Sequence, residues 1–129
     1  MGKIYTGTQI NDTAVLVFPA AAEIADARNK AIVVTAAGAA VATGATAPYM
    51  GVGLITNDFP IAAGEDVHVQ IKEITLIEAG AVVTTGAAVS ADASGLAKPA
   101  ASGDFVLGIA LEDGAVGDKI RVQITKYKG

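Results

Sequence analysis

Turns recur along this chain too often for a long helix to be completed between them. Asn57-Asp58-Phe59-Pro60, Ala63-Gly64, Ala79-Gly80, Ser94-Gly95, Ser102-Gly103-Asp104 and Asp113-Gly114 carry residue types that accept left-handed or fixed backbone angles. The runs between them read as strands. Val67, Val69 and Ile71 alternate with His68, Gln70 and Lys72, and Ile120, Val122 and Ile124 alternate with Arg121, Gln123 and Thr125. That is period two with one apolar face. Shorter β-rich runs are Ala14–Phe18, Ala31–Thr35, Ile74–Ile77, Ala81–Thr84 and Phe105–Leu111. Many short strands at close spacing predict an all-β barrel or sandwich. The only helix candidate is Pro19–Asn29, one or two turns at most, with Pro near its start and good helix formers after it.

After Ile71 the apolar phase moves by one residue, to Ile74 and Leu76, which predicts a bulge or sharp bend at Lys72-Glu73. The chain also repeats itself. "GEDVHVQI" at Gly64–Ile71 answers "GDKIRVQI" at Gly117–Ile124. Gly38-Ala39-Ala40-Val41 matches Gly86-Ala87-Ala88-Val89, and Val52-Gly53-Leu54 matches Leu107-Gly108-Ile109. We read two similar β-units, about 31–72 and 80–125, closing around one core, because some 45 residues is too few to fold alone without staples. The domain layout expected is therefore 1–30 as an N-terminal arm and short helix, and 31–129 as a single β-domain. Residues 1–18 fall outside this repeat, and read either as a strand completing the sheet or as an arm that orders on a partner.

Composition excludes more than it suggests. Of 129 residues 52% are hydrophobic, but 27 are Ala, which bury little each, and only six are aromatic, so a bulky ligand pocket is not expected. There is no Cys, which removes disulfides, thiolate chemistry and Cys-based metal sites. A net charge of −4 and a pI near 4.7 argue against nucleic acid as a partner. The local basicity of Lys119, Arg121, Lys126 and Lys128 is that of a solvated strand face. Met1–Val15 has no apolar core of a secretory signal. Ala31–Asn57 is uncharged but carries four Gly and a Pro, so it reads as two strands around a loop and no membrane span is expected.

No catalytic constellation is visible. The single His68 occupies the place that Arg121 holds in the second octet, a solvent-exposed position. Ser90, Ser94 and Ser102 lie in no G-x-S-x-G elbow. Glu65-Asp66 and Glu112-Asp113 sit beside turn glycines, and Asp92-Ala93-Ser94-Gly95 lacks the later oxygen ligands of a calcium loop. A lipoyl- or biotinyl-carrier reading fails because Lys98 precedes Pro99 and has no flanking Met. The expectation is no enzyme, no cofactor and no metal. A carbohydrate-binding β-domain would want aromatics exposed on one face, and Tyr49, Phe59 and Phe105 all sit beside turns, so this reading stays open.

From Gly51 to Ile124 the order of motifs resembles the small capsid cement, or head decoration, proteins of tailed bacteriophages. A Gly-acidic-x-V-x-V strand comes first, then a G-x-x-V segment, the S-x-D-x-x-G turn at Ser90–Gly95, Leu107-Gly108-Ile109-Ala110-Leu111, and the closing strand of Gly117–Ile124. Where that family has a Gly after the first V-x-V strand, this chain has Lys72-Glu73. The resemblance implies an all-β, small β-barrel or β-tulip-like domain of two similar β-units, with an extended N-terminal arm and at most one short helix. It further implies a virion protein made in the host bacterial cytoplasm. Such a protein binds the major capsid protein on the outer surface of the assembled head, as a homotrimer or dimer, and stabilises it. A structural module of a phage tail or fibre, or a small carbohydrate-binding β-domain, is the alternative. Within this reading Ile4, Tyr5, Val15, Val17 and Phe18 are expected to form a capsid-binding arm. Gln70 and Gln123, which recur without a packing reason, are expected to make a strand-edge hydrogen bond or a subunit contact.

Overall fold

The structure, a computed structural model, describes residues 13–129. It is all-β, with no helix among the described residues. The first sheet comprises β1 (Val15–Pro19), β2 (Ala31–Thr35), β3 (Gly38–Val41), β4 (Gly51–Gly53) and β5 (Asp66–Gln70), in the spatial order β1-β5-β4-β2-β3. The second comprises β6 (Ile74–Glu78), β7 (Ala88–Ala91), β8 (Ala97–Pro99), β9 (Phe105–Ala110) and β10 (Lys119–Lys128), in the order β6-β10-β9-β7-β8. All neighbouring strands are antiparallel. Neither sheet closes on itself, which corrects the barrel expectation. Each sheet ends on two strands that do not pair with one another, and it buries its open side by packing instead of by closure.

The two strand orders are the same once the second is renumbered, so the repeat is real, but its register differs from the sequence reading. β1 holds in the first sheet the place that β6 holds in the second, so the repeat starts at Val15 and not at Ala31. The G-A-A-V match is false. Gly38–Val41 is β3, whereas Gly86–Val89 leads into β7, the counterpart of β2. The residue equivalent to Gly86 is Asn29. Both have left-handed φ values, 86° and 56°, and both donate their N–H over 2.8 Å, to the carbonyls of Ala110 and Gly53. Likewise Gly108 corresponds to Gly51, since each faces the backbone carbonyl of its octet's Gln. In an Ala-rich chain short strings match by composition alone.

Pro19–Asn29 is not helical either. Ala20, Ile24 and Ala27 are buried at near-helical spacing, yet the N–H groups of Ala20, Ala21 and Ile24 go to Glu65, Ala39 and Ile61. Those tertiary bonds outweigh the alanine propensity, which is worth less than about 1 kcal/mol per residue. The segment forms the lid of the first core, over Ile32, Ile61, Val67 and Val69. The second core joins Ile77, Val83, Val89, Leu107, Ile120 and Val122 with Ala31, Tyr49 and Val52 of the first unit, so the two units share it. Of the expected strands, Ala81–Thr84 reduces to one bridge between Val83 and Gly114.

The expected bend at Lys72-Glu73 is where the chain crosses from one sheet to the other. Glu73 has φ 67°, a conformation that costs an ordinary L-residue about 1–2 kcal/mol. Glu73→Gly should therefore raise stability by about 0.5–1 kcal/mol, the relief being partly offset by the extra freedom glycine gives the unfolded chain. A urea midpoint at or below that of the parent protein would show that the Glu73 side chain compensates its backbone.

Candidate interaction surfaces

The residues with the chemistry of catalysis are used to build turns. In the first octet Gly64 takes φ 83° and the Glu65 carboxylate accepts the N–H of Ala62 at 2.9 Å. In the second, Gly117 takes φ 91° and Asp118 accepts the N–H of Ala115 at 3.0 Å. The Gly-acidic pair thus recurs because glycine supplies the left-handed turn and the acid closes it. Glu112, 9% exposed, accepts the N–H of Arg121 at 2.8 Å and its Nε–H at 3.3 Å. Asp113 accepts from the backbone N–H and the hydroxyl of Thr85, and Asp92 from the N–H groups of Ser94 and Leu96. Ser90 is buried and donates its hydroxyl to the Phe105 carbonyl.

His68 is half-buried on β5 and its N–H is held by Asn57, as Arg121's is by Glu112, so the two octets correspond there. Among the described residues no group of three His, Cys, Asp or Glu side chains is arranged to hold a metal. Every buried side-chain polar atom among them has a hydrogen-bond partner, so none is left aimed into a cavity to await a ligand.

The surface residues singled out from sequence lie as follows. Ile4 and Tyr5 are outside the described residues. Val15, Val17 and Phe18 lie on β1, an edge strand of the first sheet, opposite Gln70, His68 and Val67. Val17 and its neighbour Leu16 are 50% and 41% exposed, while Phe18 packs against the first core. The repeated glutamines part company. Gln70 is buried and its Nε2 donates to the carbonyls of Lys72 and Ile74, at 3.0 and 2.7 Å, which ties down the crossing between the sheets. Gln123 is exposed on β10.

Other features were not singled out. Val82 and Val116 are 71% and 68% exposed on either side of the Val83–Gly114 bridge. Phe59 is exposed beneath the guanidinium of Arg28, 3.7 Å from the ring centre. Arg28 also forms an ion pair with Asp26, and that guanidinium bond holds the Asp26 carboxyl down at about 2. At the far end of β10 a cavity of about 140 Å³ lies among Pro48, Tyr49, Phe105, Val106 and Lys126–Lys128. The Lys126 ammonium donates to the Met50 carbonyl at 2.7 Å, and partial desolvation of the ammonium there lowers its pKa although the residue as a whole is exposed. The period-two pattern of β10 and the local basicity of Lys126 and Lys128 pointed to this region in the sequence, but the cavity itself depends on where Pro48 and Phe105 arrive from distant turns.

Comparison with known proteins gives three findings. No curated protein matches the chain. Among solved structures the fold is similar to the head fiber gp8.5 N base of bacteriophage phi29, with a TM-score of 0.63 and 19% identity, over 90% of this chain and 97% of that one. At that identity the likeness concerns the fold. The family model described as phage cement protein matches residues 26–125, which spans both sheets. This chain belongs to the phage cement protein family.

Proposed function

We propose that this protein decorates the outer surface of an assembled phage head, where it binds the major capsid protein and stabilises the shell. The family match over residues 26–125 carries this reading. A rigid β-domain whose Glu65, Asp92, Asp113 and Asp118 carboxylates close its own turns suits such a role, which needs no chemistry, so we read the protein as structural and not as an enzyme. Binding that favours the mature shell over its precursor stabilises the mature state by mass action, by about 2.7 kcal/mol per site when the free protein is at a hundred times its dissociation constant. This reading assigns Ile4, Tyr5, Val15, Val17 and Phe18 to the shell contact, the last three from edge strand β1, and a homotrimer, or a dimer, would engage several shell subunits at once. Exposed Gln123 is the subunit contact this reading favours, since Gln70 is turned inward.

Purified protein is expected to co-sediment with undecorated shells and to raise the temperature at which they release their contents. Shells that neither bind it nor gain heat resistance would overturn the proposal. Deleting residues 2–13 should lower occupancy if the arm touches the shell, and leave it unchanged if the arm does not. A second reading, the base of a head fibre, draws support from the likeness to the phi29 head fiber base. Microscopy of particles separates the two, since a fibre base carries a protruding density and a decoration protein does not.

A further inference from the structure

The charges of the first unit are sorted along β5. Asp66 opens this strand and Lys72 follows its end, about 20 Å away at 3.3 Å per residue. At the Asp66 end, the bonds from Ala20 to Glu65 and from Ile24 to Ile61 gather Glu23, Asp58, Glu65 and Asp66, all exposed. The nearby cations are engaged by Asp26, Arg28 through an ion pair at 2.8 Å and Lys30 through the Asp26 carbonyl at 2.9 Å. At the other end the Lys126–Met50 bond brings the end of β10 against the start of β4, beside Gln70 and Ile71, which Lys72 follows. Lys72, Lys126 and Lys128 are exposed there, with Glu73 among them, while Lys98 is paired with Asp104 at 3.2 Å. Lys128 lies over the Phe105 ring, and Tyr127, 45% exposed, stands at the mouth of the 140 Å³ cavity. An acidic protein thus carries Lys126 and Lys128 on an apolar recess, with Lys72 exposed at the same end.

A second observation points to the same end. The described chain begins at Thr13, whose hydroxyl bonds the Lys72 carbonyl, and Ala14 accepts the N–H of Ile71. Thr13 and Ala14, the first described residues, therefore lie beside Lys72. We infer that the end bearing Lys72, Tyr127 and Lys128 faces the shell. Its partner is an acidic surface of the shell protein that offers an apolar side chain to the recess, and the Asp58–Asp66 end points away. This rests on the decoration reading and adds the orientation and the partner's chemistry. Complementary charge steers association and fixes orientation, and its effect weakens as salt rises.

The test uses the full chain with Lys72→Glu and Lys128→Glu together, against Asp58→Lys and Asp66→Lys together. Both variants should stay within a few degrees of the parent's melting temperature, since none of the four side chains closes a turn and Lys128 loses only an exposed cation–π contact with Phe105. Shell occupancy of the lysine variant is expected to fall by about tenfold or more, which is about 1.4 kcal/mol. The acidic-end variant should bind as the parent does, and parent occupancy should fall between low and high salt. Unchanged binding of the lysine variant, or a loss confined to the acidic-end variant, would overturn the orientation. So would a lysine variant that stops self-associating but still coats shells, which would assign the lysine end to a second copy of this chain. A parent protein that fails to bind shells at all removes the decoration reading itself, a different result from any of these.

Discussion

Gly51→Ala and Gly108→Ala are expected to be strongly destabilising, each costing about 3 kcal/mol or more. A Cβ on Gly51 would be driven into the carbonyl of Gln70, and one on Gly108 into that of Gln123 and a methyl of Val122. Neither carbonyl can retreat. Gln70 is held on one side by Val15 of β1 and on the other by Val52 of β4, and its side chain also ties down the crossing at Lys72 and Ile74. Gln123 lies between Ile74 of β6 and Ile109 of β9. A domain of this size has only about 5–15 kcal/mol of stability in all, so either substitution should bring a large fall in the urea midpoint.

Gly86→Ala separates sterics from backbone strain. Gly86 has φ 86° but nothing within 4 Å of a built Cβ, so only the left-handed cost of about 1–2 kcal/mol applies. The expected order is Gly51 and Gly108 alike, then Gly86. If Gly108→Ala costs no more than Gly86→Ala, the close strand approach at Gln123 is wrong, and with it the equivalence of Gly51 and Gly108.

That equivalence also shows what the sequence carried and what it hid. The octets were legible because alternating β-branched residues, a turn glycine and a closing acid are local signals, and β5 and β10 lie where they predict. Ala31–Thr35 is β2 to the residue, and the phase shift after Ile71 marked the crossing between sheets. Long-range bonds concealed the rest. The helix expected at Pro19–Asn29 loses to pairing with Glu65, Ala39 and Ile61, partners 18 or more positions away. β4 is three residues long and mostly Gly, so it has no periodicity to read, and its true counterpart in β9 emerges only from which carbonyl each glycine meets. Asn29 and Gly86 share a left-handed backbone and no side-chain likeness, so no string comparison pairs them. The lysine-rimmed recess was illegible for the same reason, because Pro48, Phe105 and Tyr127 belong to three distant segments.

Where the two units depart from their repeat, they are joined, and this gives the second large effect. Asn29 is matched by Gly86 and has an amide that Gly86 lacks. Its Nδ2 donates to the buried Leu76 carbonyl, and its own carbonyl accepts the N–H of Glu78. Tyr49, 5% exposed, does the same further along. Its hydroxyl accepts the N–H of Ala91 on β7 and donates to Gly44 in its own loop, both at 2.9 Å. Burial raises the Tyr49 pKa, so the hydroxyl keeps its proton at neutral pH. Tyr49→Phe keeps the ring in the shared core and removes only the oxygen, leaving the N–H of fully buried Ala91 with no partner. That costs about 1–3 kcal/mol, the desolvation penalty of an orphaned buried donor. Asn29→Gly keeps the left-handed backbone and removes only the amide, so a loss of about 1–2 kcal/mol there would test the second joint independently. Because the core around Leu107 and Ile120 contains Ala31, Tyr49 and Val52, both variants should still melt in one transition, seen alike by circular dichroism and by tyrosine fluorescence. Two separated transitions in Tyr49→Phe would mean that each unit holds a core of its own, and that the hydroxyl, more than the shared apolar surface, makes them one body.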